Sequence, residues 1–195
     1  MLSNINSPFI MKKIFSQIHE NIKLELIKYN KEFQKILNID INNYKIFKGI
    51  SIILESDEKG KEYDNYNDRI IFEGEYKNLK RNGKGKEYNF GKVTFEGEYL
   101  NNKRNGKGKE YNYKGELLFE GEYLNNKRHG KGKEYFSNGN IKFEGEYLNG
   151  RKWNGKGYDK NNQKSFEIEN GKGHAKEYSY FGNYLEFEGE YLNGE

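Results

Sequence analysis

The segment Phe-Glu-Gly-Glu-Tyr-Leu-Asn-Asn-Lys-Arg-Asn-Gly-Lys-Gly-Lys-Glu-Tyr, Phe95 to Tyr111, recurs almost unchanged from Phe72 and from Phe119. The opening phenylalanines Phe72, Phe95, Phe119 and Phe143 are spaced 23, 24 and 24 residues apart. A fixed period of this length dictates a repeat architecture. One unit is too small to bury a core, so consecutive copies must stack on each other.

Within a unit the residues alternate. Phe95, Gly97 and Tyr99 share one face of an extended chain, and Glu96 and Glu98 share the other. A second alternation follows in Gly106-Lys107-Gly108-Lys109. Folding the segment at Asn101 to Arg104 sets Glu98 opposite Lys107 and Glu96 opposite Lys109, with Tyr99 over Gly106 and Gly97 against Gly108. Opposite charges paired across strands contribute roughly 0.2–1 kcal/mol each, and an aromatic ring over a strand glycine offsets the weakness glycine brings. Glu75 meets Lys84 and Glu122 meets Lys131 in the same way. In a shortened unit, Asn170-Gly171 is a two-residue hairpin signal; it places Glu169 opposite Lys172 and Ile168 opposite Gly173. Glu110 shares parity with the glycines and Tyr111 does not, so a β-bulge near Glu110 is needed if Tyr111 belongs to the aromatic face.

Further turn signals at Asn89-Phe90-Gly91-Lys92 and Ser137-Asn138-Gly139-Asn140 join one unit to the next. The expected fold is mostly β: a single elongated, twisted antiparallel meander of about 13 strands, on the order of 60 Å long at ~4.8 Å per strand. Units run over 72–94, 95–118, 119–142 and 143–165, a short one over 166–186, and half of another from Phe187. Phe47 to Tyr63 reads as a decayed first unit, with Gly49 at the Phe-Glu-Gly glycine and Lys59 to Tyr63 as its end. Residues 1–46 differ. They lack glycine, and apolar residues at helical spacing predict two short helices, Ile10 to Ile18 and Ile22 to Leu37, as a cap on the repeat array at 47–195.

Hydrophobic and charged residues each make up 33% of the 195, and such polarity would suggest disorder were the 16% of aromatic residues not placed at a fixed period. The net charge of +4 comes from 34 basic and 30 acidic residues with interspersed signs, so no global field draws nucleic acid. Each strand lysine faces a glutamate, which cancels the positive groove a stacking platform would need. The absence of cysteine removes disulfides and thiol chemistry. The start has neither a signal-peptide pattern nor an apolar run of ~20 residues. A cytoplasmic protein, peripheral to membranes at most, is expected. His19, His129 and His174 lie in unrelated contexts, and no catalytic, cofactor or metal site is expected.

These residues resemble MORN repeats, whose pattern is roughly Tyr-x-Gly-x-Trp, a short basic loop and Gly-x-Gly. Phe stands here for the first aromatic and Tyr for the second. The match runs over 72–195 and weakens at 47–71 and 166–178, where Glu58, Ile168 and Asn170 depart from it. The resemblance implies a non-catalytic scaffold, a dimerisation surface or a contact with acidic phospholipids. Pro8, Ile14-Phe15-Ser16, Ile18, Leu24, Leu26 and Ile27 resemble an F-box more faintly, without its later tryptophan. That resemblance implies a substrate adaptor in ubiquitin-dependent degradation.

Three surfaces are candidates. Lys80-Arg81, Lys103-Arg104, Lys127-Arg128 and Arg151-Lys152 form a basic comb at the hairpin tips, suited to anionic headgroups or to plain solvation. Phe72, Tyr76, Phe95, Tyr99, Phe119, Tyr123, Phe143 and Tyr147 form an aromatic face that either binds a protein partner or is filled by its own repeats; Trp153 lies beside it in a loop one residue longer than its counterparts. The edge strand 187–193 offers a homodimer contact.

Overall fold

The computed structural model describes residues 44–47, 50–55, 58–64 and 66–194. The expected helical cap and the F-box-like positions lie outside these residues. The first described strand starts at Tyr44, three residues before the expected switch from helices to strands.

Fourteen strands form among the described residues, all joined to their sheet neighbours in antiparallel fashion and in chain order. The chain divides at Glu73/Gly74 into two compact units. In the first, β1 (Tyr44–Phe47), β2 (Ile50–Leu54) and β3 (Lys59–Asp64) form a meander. Glu62 pairs with Ile52 and Gly60 with Leu54. The decayed repeat is therefore aligned differently from the expectation: Ile52 holds the opening aromatic position and Leu54 the glycine position. Strand β4 (Arg69–Lys77) crosses the division.

In the second unit β5 (Lys80–Asn89), β6 (Lys92–Leu100), β7 (Lys103–Tyr111), β8 (Leu117–Leu124), β9 (Lys127–Tyr135), β10 (Ile141–Leu148), β11 (Arg151–Tyr158) and β12 (Lys164–Ile168) pair in order. β13 (Gly173–Tyr178) and β14 (Leu185–Tyr191) pair with each other as a separate two-stranded sheet. The Asn170-Gly171 turn forms as expected, with Asn170 and Gly171 at φ 51° and 71° and Glu169 bridged to Lys172. The ladder stops there. Ile168 occupies a glycine position and Ala175 replaces the second glycine of the Gly-x-Gly pattern, and both are buried. Their side chains fill space that lets strands approach closely elsewhere.

The register inside a hairpin corrects the sequence expectation in one respect. Glu96 pairs with Lys109 and Gly97 with Gly108, as predicted, but Tyr99 pairs with Arg104 rather than Gly106. Asn105, Gly106 and Lys107 all bulge opposite Glu98, so the direct Glu98–Lys107 rung does not form. The same shift separates Glu122 from Lys131. Gly106 takes φ +100°, a conformation open to glycine. The Glu98 carboxylate folds over that glycine, where a side chain would meet it at 2.1 Å. In the preceding copy the equivalent Glu75 accepts the Lys84 backbone N–H at 3.0 Å. The hairpin turns themselves are tighter than expected: Asn101-Asn102 and Asn125-Asn126 are two-residue turns with both φ positive.

Charged rungs form chiefly between copies. Lys84 pairs with Glu98, Lys86 with Glu96, Lys107 with Glu122 and Lys109 with Glu120. The expected bulge near Glu110 is present, but the extra residue is on the facing strand, where Leu118 is skipped between Leu117 and Phe119. Tyr111 therefore keeps its parity and lies on the charged face, donating to Glu96 at 2.6 Å. Tyr135 and Tyr158 repeat this contact on Glu120 and Glu144.

The core follows from the glycines. An added Cβ on Gly108 would meet Phe95 Cζ at 2.4 Å, and one on Gly132 would meet Phe119 Cζ at 2.5 Å. Phe95, Phe119 and Phe143 thus each lie over a glycine of the next strand, and Phe72, Phe95, Phe119 and Phe143 are all 0% exposed. Tyr123 packs edge-on against Phe95 at 5.2 Å and against Phe119 at 5.6 Å, and Tyr147 continues the series. Such edge-to-face pairs contribute about 0.5–1.5 kcal/mol beyond burial. Gly108→Ala should lower stability by about 1–3 kcal/mol through overpacking. Gly189→Ala in β14, whose Cβ would meet only the Phe187 ring and no closer than 3.2 Å, should cost clearly less in urea melts; equal costs would contradict this packing.

Candidate interaction surface

Arg104, Gly106, Gly108 and Glu110 share the aromatic side of β7 by parity. Gly108 leaves a slot that the rings fill, and the two charged residues at the ends of the strand reach over the rings. Arg104 stacks on Phe95 and Arg128 on Phe119, each with its guanidinium carbon 4.0 Å from the ring centre. Lys152 covers Phe143 at 5.1 Å. A cation over an aromatic face is attracted by the ring quadrupole.

The covering charges also pair with one another along the array. Glu87 accepts from Arg81 at 3.4 Å and from Arg104 at 2.5 Å. Glu110 lies 3.5 Å from Arg104 and 2.5 Å from Arg128. Glu134 takes Arg128 at 2.6 Å and Lys152 at 3.3 Å, and Lys152 goes on to Glu177 at 2.5 Å. One chain of alternating charges therefore runs from Arg81 to Glu177, across every copy in the second unit. Burial would push the Glu87 carboxyl up, but the hydrogen bonds and charges of Arg104, Tyr99 and Arg81 outweigh it and hold it below the usual range. Burial likewise opposes the charge on Arg104, and Glu87 more than restores it. At Glu134 burial is again overcome, by Lys152 and Arg128. The Tyr99 hydroxyl donates to Glu87 at 2.9 Å, and burial next to that carboxylate raises its pKa. The Tyr123 and Tyr147 hydroxyls are buried beside Glu110 and Glu134 without hydrogen-bond geometry to a described residue.

This arrangement reshapes two of the three candidate surfaces. The eight cations of the basic comb divide into two sets. Arg81, Arg104, Arg128 and Lys152 are committed to the charge ladder over the rings. Lys80, Lys103, Lys127 and Arg151 remain exposed on the hairpin edge. The aromatic face is filled by its own glycines, rings and cations: Tyr76, Tyr99, Tyr123 and Tyr147 are buried together with the phenylalanines. Trp153 lies in strand β11 rather than in a loop. There the bulge is shorter, with Trp153 alone skipped between Lys152 and Asn154. The indole packs on Gly171, whose N–H donates to the Trp153 carbonyl at 2.8 Å. It also borders a shallow depression of about 310 Å³ with Leu148, Arg151 and Asn193.

One surface was not anticipated from the sequence. Leu100, Leu124 and Leu148 are 49%, 42% and 37% exposed, and each pairs with an exposed cation, Lys103, Lys127 and Arg151 respectively. The hairpin edge thus shows one leucine and one positive charge in each of the copies starting at 95, 119 and 143, about 10 Å apart since two strands separate successive copies. The signal was present in Tyr-Leu-Asn at 99–101, 123–125 and 147–149: with tyrosine facing inward, leucine one residue later must face outward. Among the described residues, no group of three or more His, Cys, Asp or Glu side chains could hold a metal ion.

The two halves of each basic pair should respond differently to mutation. Arg104→Ala leaves two partly buried carboxylates short of a partner and uncovers Phe95, so it should cost about 1–3 kcal/mol. Lys103→Ala should stay within about 0.5 kcal/mol. Denaturant melts measure both; equal effects would refute the ladder.

The MORN repeat family profile matches residues 72–89, 95–116 and 119–141. No curated protein matches the chain. Among solved structures, TarM shares 14% identity at a TM-score of 0.36, with 53% of this chain and 22% of that chain covered. A point mutant of S. aureus TarM, solved with fondaparinux, alpha-GlcNAc-glycerol and UDP, gives 13% identity and a TM-score of 0.31 over 62% of this chain and 22% of that one. The chain thus spans about a fifth of the length of either structure, and likenesses this weak bear no argument. The matched residues fall on strands β4 to β9, where phenylalanine rings fill glycine slots, and residues 72–141 are MORN repeats.

Proposed function

We propose that this protein is a non-catalytic scaffold that binds a protein partner along its hairpin edge. The observation that carries the reading is the row Leu100/Lys103, Leu124/Lys127, Leu148/Arg151, exposed and repeated in three successive copies. Elsewhere the sheet meets its own needs: strand carboxylates face lysines or tyrosine hydroxyls, and the rings are capped by paired cations. A partner suited to this edge presents apolar side chains and carboxylates at the same ~10 Å pitch. Burying an exposed leucine contributes about 1.5–3 kcal/mol, so three in line supply useful affinity.

A second reading, attachment to an anionic membrane, draws on the same edge. Each exposed cation near such a surface is worth about 1 kcal/mol, and adjacent leucines add apolar contact. With half of the eight comb cations tied up internally, the electrostatic part is weaker than a full comb would give. An adaptor role in protein degradation rests on residues 1–37 alone, and no described residue bears on it.

The triple variant Leu100→Asp, Leu124→Asp, Leu148→Asp separates these readings. It should keep the wild-type melting temperature within a few degrees and lose the partners that wild type retains on affinity purification from native lysate. Sedimentation with phosphatidylserine vesicles gives the second readout. Loss of pelleting with partners retained would favour the membrane, and unchanged behaviour in both assays would remove this edge as the binding surface.

A further inference from the structure

The hairpin turns are hydrogen-bonded to one another. The Asn102 N–H donates to the Arg81 carbonyl at 3.0 Å, the Asn126 N–H to that of Arg104 at 3.0 Å and the Gly150 N–H to that of Arg128 at 2.8 Å. Two side chains bond in the reverse direction: Oδ1 of Asn102 and of Asn126 accepts the backbone N–H of Arg81 and of Arg104, each at 2.7 Å. The turns at 101–102, 125–126 and 149–150 are thus each tied to the hairpin before them. The residues flanking the turns inherit that spacing. Leu100, Lys103, Leu124, Lys127, Leu148 and Arg151 follow one another on strands β6 to β11, with each leucine paired to its cation. Neighbouring strands lie ~4.8 Å apart, so leucine and cation alternate at that spacing and each recurs at about 10 Å. The row has defined limits within the array. Lys77 stands where the copies from 95, 119 and 143 carry leucine, and the short turn Glu169-Asn170-Gly171-Lys172 after Leu148 carries none.

The glutamates nearest this row are turned inward. The carboxylates of Glu98 and Glu122 lie over Gly106 and Gly130, and Glu146 accepts from the Asn154 side-chain amide at 2.8 Å. The row itself therefore presents leucines and positive charge. Spacing and charge together restrict what can lie along it. In an extended strand, side chains on one face recur every two residues, at about 6.6 Å, and fall out of step with a 10 Å period. A polyproline helix has about three residues per turn and recurs at about 9.3 Å, which fits the leucines, but its intervening residues point about 120° away and cannot meet the cations between them. An α-helix satisfies both demands. Seven residues rise about 10.5 Å and return nearly to the same face. A residue four positions beyond the apolar one lies about 6 Å along the axis and only about 40° round, toward the cation.

Taking this edge as the binding surface, as the proposed function does, we propose that its partner is an amphipathic α-helix lying along the row. Every seventh residue of that helix is a large apolar one, set against Leu100, Leu124 and Leu148, and a carboxylate between successive apolar residues meets Lys103 and Lys127. Each cation lies nearly midway between two leucines, so the helix fits in either direction, with the carboxylate three or four residues after the apolar one. Three anchors span about 20 Å, roughly four helical turns. Arg151, whose guanidinium also reaches the Asn193 carbonyl at 3.5 Å, takes a third carboxylate at the end of the row. The hydrogen bonds between turns fix the row before a partner arrives, which lowers the ordering cost of binding. A helix with lysines at the carboxylate positions is rejected by like charge.

The probe is a fluorescein-labelled peptide of three Leu-Ala-Gln-Ala-Glu-Ala-Gln repeats, rich in good helix formers, titrated with the full chain and followed by anisotropy. One peptide should bind per chain, with helical circular dichroism in the complex. Permuting the same residues so that leucine recurs at every fifth position should weaken binding about tenfold or more, and lysine in place of each glutamate should do the same. The chain variant Lys103→Glu, Lys127→Glu, Arg151→Glu should reverse that choice, rejecting the glutamate peptide and taking the lysine one. Should this variant fail to fold, the two peptides on the wild-type chain decide the charge question alone. No binding, equal binding of the permuted or the lysine peptide, or tighter binding of a proline-rich peptide with leucine at every third residue would each overturn the helical partner. If the Leu100→Asp, Leu124→Asp, Leu148→Asp variant still lost its lysate partners in that case, the edge would stand and only the helix would fall. A peptide bound equally by wild type and by that variant would instead remove the edge itself.

Discussion

The structure depends on the exchange of volume between a phenylalanine and a glycine one strand away. A single sheet has no second layer to cover its apolar side. This one covers itself, because Gly108 leaves a slot into which Phe95 and Tyr123 drop, and Phe95 reaches 0% exposure with no facing layer among the described residues. The glycines that would weaken an ordinary strand are here the reason the rings are buried. What the slot leaves open, the Arg104 and Glu110 side chains close, and their pairing with the next copy ties each hairpin to its neighbours.

That closure reassigns the roles of the charged residues. Strand lysines and glutamates on the outer face form exposed rungs such as Lys109–Glu120, with side chains 47% and 38% exposed, worth about 0–1 kcal/mol each. The inner ladder is better shielded and shares each carboxylate between two cations, so removing one partner costs more than at an exposed rung, and the shared carboxylates couple the copies. Among the described residues the sheet thus has charge pairs on one face and capped rings on the other, and the leucine and cation edge at the hairpin turns is the surface on which the proposed function rests.

Much of this was legible in the sequence. The period gave the copies, alternation gave the two faces, and charge pairing gave the Glu96–Lys109 and Gly97–Gly108 register, all present in the structure. The three-residue bulge opposite Glu98 was not legible, because a Glu98–Lys107 rung satisfies the same charge rule; the positive φ of Gly106 decides between them and leaves no separate mark in a segment already rich in glycine. The parity that places Arg104 and Glu110 over the rings was readable, but adjacency in sequence made Lys103-Arg104 look like one basic tip. The break after β12 had a trace in Ile168 and Ala175, two side chains at glycine positions. The exposed leucines had a trace as well, one residue after each buried tyrosine.

A double-mutant cycle on Phe95 and Gly108 probes the volume exchange most directly. Gly108→Ala, Phe95→Leu and the pair are compared with wild type by urea unfolding. If the ring occupies the space of the missing side chain, the alanine costs less once leucine has vacated it, and the two mutations couple by at least about 1 kcal/mol, within the range for residues in contact. Strict additivity would contradict the account, since it would mean that the ring and the glycine do not share that volume.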